Sequence, residues 1–242
     1  MILSHQEFDK TEYLHYLRSK ICNTMKVSIS PTVSDACPEL QAGIIKATVV
    51  NTPTGDELWN ELQSEVARIS ATYTTDTLSK RAAIAATRKA YKTFGKDPAR
   101  YRVSSEALCR RAIRGLDLYR INTLVDLINV VSMRSGYSIG GFDADRIEGD
   151  MTLGVGSADD VFHGIGRGLL NIEGMPVYRD NVGGVGTPTS DEERTKITME
   201  TTHLLITINA YGSEMPLDEC VEWTVDLLRK YAQATDVESY II

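Results

Sequence analysis

The chain has 242 residues, 42% hydrophobic and 24% charged, with a net charge of −7 at neutral pH. That composition is ordinary for a globular protein, and the acidic balance argues against wholesale coating of nucleic acid or of an anionic membrane. No apolar run approaches the roughly 18 residues of a membrane span, and the polar start MILSHQEFDKTEYLHYLRSK does not read as a signal peptide. The expectation is a cytoplasmic protein with no membrane contact.

Cys22, Cys37, Cys109 and Cys220 form no CxxC pair, and His5, His15, His163 and His203 are isolated. This spacing offers neither a disulfide framework nor a zinc site, so reduced thiols and no metal are expected.

In chain order, residues 1–24 read as an amphipathic helical extension, with Leu3, Phe8, Leu14 and Leu17 at helical spacing. MKVSISP then alternates as a strand ended by Pro31, and Ala42–Val50 reads as a strand buried on both faces. Thr54 to Glu57 has the form of a capping box ahead of a helix buried through Leu58, Leu62, Val66 and Ile69. One helix is predicted over 78–94, closed by Gly95, and another from Ser104 or Ser105 to Gly115. Asn122 opens a helix through Met133 that stops near Gly136. From Arg146 the pattern turns to strands: DMTLGVG, PVYRD, TKITMETT and HLLITINAYG. A C-terminal helix follows, with Pro216 in its first turn, acids early and Arg229 and Lys230 late. One α+β domain over 25–242, layered β-sheets packed with helices, accounts for this order.

Four stretches could carry chemistry. Residues 80–114 hold eleven lysines and arginines against Asp97 and Glu106. Lys96, Arg100, Arg102, Arg110 and Arg111 are the candidates to meet phosphates; the alternative is that such residues solvate two helices and pair within the domain. Asp126 and Asn129 lie three apart on an apolar helix, where they either line a polar cleft or fasten a loop. Gly140 and Gly141 ahead of Asp143 allow close backbone approach to a ligand, or simply make a turn. Tyr178–Thr198 gathers Gly183, Gly184, Thr187, Thr189, Ser190, Asp191 and Arg194 in a polar loop of the kind found at binding sites and on surface hairpins alike. Arg194 could hold a carboxylate or phosphate, or pair with Asp191. No GxSxG, HExxH or Cys/His pair supports nucleophilic or zinc catalysis.

Taken together, DPARYRVSSEALCRR, INTLVDLINVVSMRSGYSIGGFDADRIEGD, EGMPVYRDNVGG and the loop through RTKIT resemble the tRNA-editing domain of the phenylalanyl-tRNA synthetase beta subunit, its paired third and fourth modules. The resemblance runs over about residues 25–235, and its core is the VD-x-x-N helix with the glycine and the Phe-Asp that follow. It implies a freestanding α+β domain that receives the aminoacyl 3′ end of a tRNA and hydrolyses a mischarged ester in trans, with no cofactor. Nothing resembles the aminoacylation domain of that enzyme. Asp126, Asn129, Gly136, Phe142 and Asp143 fall on matching positions, and Gly183 and Gly184 fall near the family's glycine-rich pocket loop. Gly140 stands where bacterial synthetases have a histidine, and GTPTSD lacks the glutamate that recognises the tyrosine hydroxyl. Tyrosine specificity is therefore not carried over. The resemblance thus implies tRNA and an amino acid or aminoacyl group as partners. A rival reading is a non-catalytic module that binds an amino acid or RNA.

Overall fold

The computed structural model describes residues 25–242, and the helical extension expected over 1–24 lies outside the described residues. The chain forms β1 (Val27–Ile29), α1 (Pro31–Ala36), β2 (Gln41–Thr48), α2 (Asp56–Thr72), α3 (Thr75–Leu78), α4 (Ala82–Thr93), α5 (Ser104–Ile113) and α6 (Thr123–Ser135). There follow β3 (Ser138–Asp143), β4 (Met151–Val155), β5 (His163–Gly164), β6 (Gly168–Leu169), β7 (Pro176–Arg179), β8 (Gly184–Gly186), β9 (His203–Ala210), α7 (Leu217–Ala232) and β10 (Thr235–Ile241).

Two four-stranded sheets, ordered β10-β2-β9-β3 and β1-β4-β7-β8, are joined by a small β5-β6 hairpin. The first sheet is antiparallel throughout and has helices on one face and the second sheet on the other. Side chains alternate across a strand, so Ile45 and Ala47 of β2 enter the core shared with the helices, while Ala42 and Ile44 enter the core between the sheets. Every residue of β9 is buried because both its faces are covered. The expectation of a layered α+β fold holds.

Several local expectations give way to tertiary contacts. Thr54 makes no capping box: its hydroxyl donates to Asp126 Oδ2 at 2.5 Å, and Gly55 is the N-cap of α2. The single helix expected over 78–94 is broken between α3 and α4. There Arg81 turns inward and donates to the Met133 and Arg134 carbonyls at 2.9 and 3.0 Å, supplying donors that the C-terminal end of α6 lacks. Pro31 ends β1 as expected but also begins α1, at a first-turn position where its missing N–H costs nothing. TKITMETT is not a strand; a 3₁₀ turn at Glu193–Thr195 leads into a turn in which Thr198 N–H donates to Thr201 Oγ1 at 2.9 Å. The sequence gives no apolar alternation for β10, which lies at a sheet edge with most residues exposed.

Asn122 does cap α6, accepting from Val125 N–H at 3.0 Å, and Gly136 ends it with φ 76°. Gly95 takes the expected left-handed conformation, and α7 has the expected charge order, but Pro216 is its N-cap rather than part of its first turn, and Val103, not Ser104 or Ser105, is the N-cap of α5. No helix among the described residues is long and apolar enough to cross a membrane.

Candidate functional site

Two hollows that share Ser104, Leu108, Ile121, Asn129 and Ile165 form one cleft between α5, α6, the free edge of β3, the β5-β6 hairpin and the loop after β8. The inner hollow has a volume of about 260 Å³ and the outer groove about 600 Å³.

The inner hollow is built where two distant segments meet. On the side of β3 away from β9, where Phe142 bridges to Lys196, the Gly141 N–H donates to Asp191 Oδ2 at 3.4 Å. Both glycines near this point are required by packing. A Cβ on Gly141 would lie 2.4 Å from Ile128 Cδ1, and one on Gly186 would lie 2.8 Å from Asp191 Oδ1. The main-chain carbonyl of Asp191 accepts from Ile165 N–H at 3.0 Å, which fixes the hairpin against the hollow.

Among the described residues, Asp191 has no cationic partner within ion-pair distance. Burial among aliphatic side chains pushes its carboxyl up to about 7, opposed only by the long Gly141 hydrogen bond. Burial also raises the Asp126 carboxyl, against hydrogen bonds from Thr54, Ile121 N–H and Asn129. Asp126 therefore fastens the Thr54 and Ile121 segments, and Asn129 beside it lines the cleft.

The outer groove is lined by five arginines, Arg102, Arg110, Arg111, Arg114 and Arg167, and by no acidic side chain. Behind its wall, fully buried Glu106 receives Arg88 at 2.9 Å, Arg110 at 2.8 Å and Arg102 at 3.7 Å. One carboxylate thus orients three guanidinium groups and offsets only one of their three charges. Arg111 is held by its Nε donating to the Asp117 carbonyl at 2.6 Å and lies over the Tyr119 ring.

The residues singled out from sequence divide into two groups. Asn129, Gly141, Thr189, Ser190, Arg102, Arg110 and Arg111 line the cleft. Thr189 does so with its hydroxyl already bonded to Tyr91 at 2.8 Å. The others serve the scaffold. Gly140 points the opposite way, packed against Phe142 and Thr207. Asp143 accepts from Thr201 Oγ1 and Asp145 N–H. Gly184 packs on Phe162, while Gly183 N–H donates to Asp180. Thr187 clamps its own turn through the amides of Thr189 and Ser190. Lys96 is buried on Asn171 and Tyr101, and Arg100 lies over Tyr101.

Arg194 pairs with Asp180, not Asp191, through two bonds of 3.0 and 2.9 Å. Burial would raise the Asp180 carboxyl, but the Glu148, Gly183 and Val182 amides and Arg194 outweigh it and hold it low.

Arg114 and Arg167 also line the groove but were not among the candidates, Arg167 because its hairpin has no local basic cluster to mark it. Asp191 belongs to the polar loop singled out from the sequence, where it was weighed only as a partner for Arg194. Among the described residues no group of three or more His, Cys, Asp or Glu could hold a metal ion.

A family model described as the B3/4 domain matches residues 86–215, which include most of the elements around this cleft. No curated protein matches the chain. Among solved structures, it is similar to an N-terminal fragment of the phenylalanyl-tRNA synthetase beta-subunit from Pyrococcus horikoshii, at 14% identity and a TM-score of 0.43. That likeness covers 90% of this chain and 50% of the other, so the chain spans about half the length of the structure it matches. On the strength of the domain match over more than half its length, the chain belongs to the B3/4 domain family, found in the phenylalanyl-tRNA synthetase beta subunit.

Proposed function

We propose that this protein receives the aminoacyl 3′ end of a tRNA and hydrolyses the ester in trans. The observation that carries the proposal is the continuity of the cleft: a small hollow bearing one half-buried carboxyl opens into a groove of five arginines. Phosphates of the unpaired 3′ end would lie along Arg102, Arg110, Arg111, Arg114 and Arg167, where charge-assisted bonds from guanidinium groups are strong. The acidic remainder of the molecule would repel the tRNA elsewhere and so favour one orientation.

The aminoacyl group then enters the inner hollow. An activated ester needs little covalent help, and positioning supplies much of the rate. Asp191 takes a proton from a water as that water attacks the ester carbonyl carbon; its acidity near neutrality suits this role. The Gly141 N–H, which holds Asp191 by one long bond before the ester arrives, turns to the oxygen that gains negative charge. The bond to the ribose oxygen breaks, and Asp191 returns the proton to that oxygen. Asn129 orients the ester from the neighbouring helix.

The experiment is deacylation of tRNA mischarged with a range of amino acids, compared with buffer alone. Hydrolysis above the buffer rate that depends on Asp191 supports the proposal. A rate equal to buffer for every charged tRNA overturns it.

A second reading, a module that binds the aminoacyl end without hydrolysing it, is favoured by one observation. The Thr187 and Thr189 hydroxyls, both candidates for assisting the reaction, are already committed to internal hydrogen bonds. Tight, salt-dependent tRNA binding with no deacylation would select this reading.

A further inference from the structure

The side chains around the inner hollow narrow the class of aminoacyl group, an inference that rests on the aminoacyl reading above. Its walls are Ile121, Val125, Ile128, Ile139, Ile165 and Ile197, and no aromatic ring lines it. Ile121 and Ile165 are 57% and 41% exposed, which places apolar surface beside the arginines, ready for a ligand to cover. At Gly141, a Cβ would meet Ile128 Cδ1 at 2.4 Å and Ile197 Cδ1 at 3.0 Å, so two aliphatic side chains form the floor of the hollow there.

The polar atoms nearby are mostly engaged. The Ser132 hydroxyl donates to the Tyr137 carbonyl at 2.8 Å, and Lys196 Nζ donates to Glu193 at 2.6 Å. Asn129 lines the hollow and is the side chain given to orienting the ester. Asp191 is the one carboxyl lining the hollow, and it sits beside the Gly141 amide where the ester would lie.

We infer that this hollow selects a branched aliphatic aminoacyl group, of leucyl or isoleucyl size, over tyrosyl. A phenol pushed between these isoleucines would bring its hydroxyl to an aliphatic floor and lose its water without a hydrogen bond in return, which is unfavourable. The alternative pose turns the phenol toward Asp191 and displaces the ester from the carboxyl that serves it. A branched aliphatic group meets neither conflict and covers the exposed isoleucines.

The test uses the whole chain and non-hydrolysable probes, 3′-deoxy-3′-(leucylamino)adenosine and its tyrosyl counterpart, titrated by calorimetry. The leucyl probe is expected to bind at least about tenfold more tightly, on the scale at which apolar pockets discriminate. Ile128→Ala, which opens the floor, is expected to shrink that preference. Tyrosyl binding equal to or tighter than leucyl overturns the inference and leaves the aminoacyl reading intact. Absence of binding by both probes overturns the aminoacyl reading itself, and the inference falls with it.

Discussion

The main-chain N–H of Gly141 and the carboxyl of Asp191, fifty residues apart in sequence, meet across 3.4 Å beside the last strand of the helix-backed sheet. The contact is long for a hydrogen bond and is all that opposes the effect of burial on Asp191. A weakly held carboxyl thus faces a hollow beside an outward-pointing amide, an arrangement that can move a proton and receive an oxyanion.

Asp191→Asn should therefore lower the deacylation rate by about 10²–10⁴-fold, the usual contribution of a general base. In the wild type the rate should rise through about pH 7 as Asp191 ionises and then level off. A variant with an undiminished rate, or one that retains the rise, would remove Asp191 from the mechanism.

The same carboxyl makes stability fall with pH. Unfolded, it ionises near pH 4; folded, it keeps its proton to about pH 7. Between those values the native state binds more protons than the unfolded chain, so stability declines as pH rises through the window and flattens above it. Urea denaturation of Asp191→Asn across pH 4 to 8 should show a shallower decline than wild type.

Arg111, Arg114 and Arg167 line the groove outside the Glu106 network, so they can be removed without leaving that carboxylate short of a partner. Each change to alanine should weaken tRNA binding and reduce the slope of log affinity against log salt by about 0.7–0.9. Filter binding over a potassium chloride series reads both quantities. An unchanged slope in the triple variant would place the RNA elsewhere.

Glu106 carries the opposite risk. Its removal leaves Arg88, Arg102 and Arg110 facing one another around a buried site. Glu106→Ala should cost about 3–5 kcal/mol, the range for breaking a buried charge cluster. Denaturant melts check this, and a loss below about 1 kcal/mol would show that water reaches the arginines.

Gly141→Ala tests the floor of the hollow. The new methyl group would meet Ile128 Cδ1 at 2.4 Å, so a loss of about 1–3 kcal/mol is expected from overpacking. Adding Ile128→Val should recover part of it, as the removed methyl group frees the contested space. Thermal unfolding of the single and double variants decides the point.

Elements whose cause is local were legible before folding. Asn122 and Gly136 bound α6 because a side-chain acceptor and a left-handed residue act within one turn. Pro216 and the charge order of α7 work at the same range, and the VD-x-x-N and Phe-Asp spacing sufficed for the family. The basic stretch was equally visible, but not its division: Arg81 and Lys96 turn inward to bond main-chain carbonyls, while Arg102, Arg110, Arg111 and Arg114 face the groove. Which way a long cationic side chain turns depends on acceptors presented by distant segments. That Arg194 belongs to Asp180, and that Asp191 has no cation beside it among the described residues, follows from the loop's register against β3 and the β5-β6 hairpin, which no local pattern encodes. Helix caps and turns are fixed by neighbours in sequence. The acidity of a carboxyl is fixed by what surrounds it in space, and that becomes known only once the chain has folded.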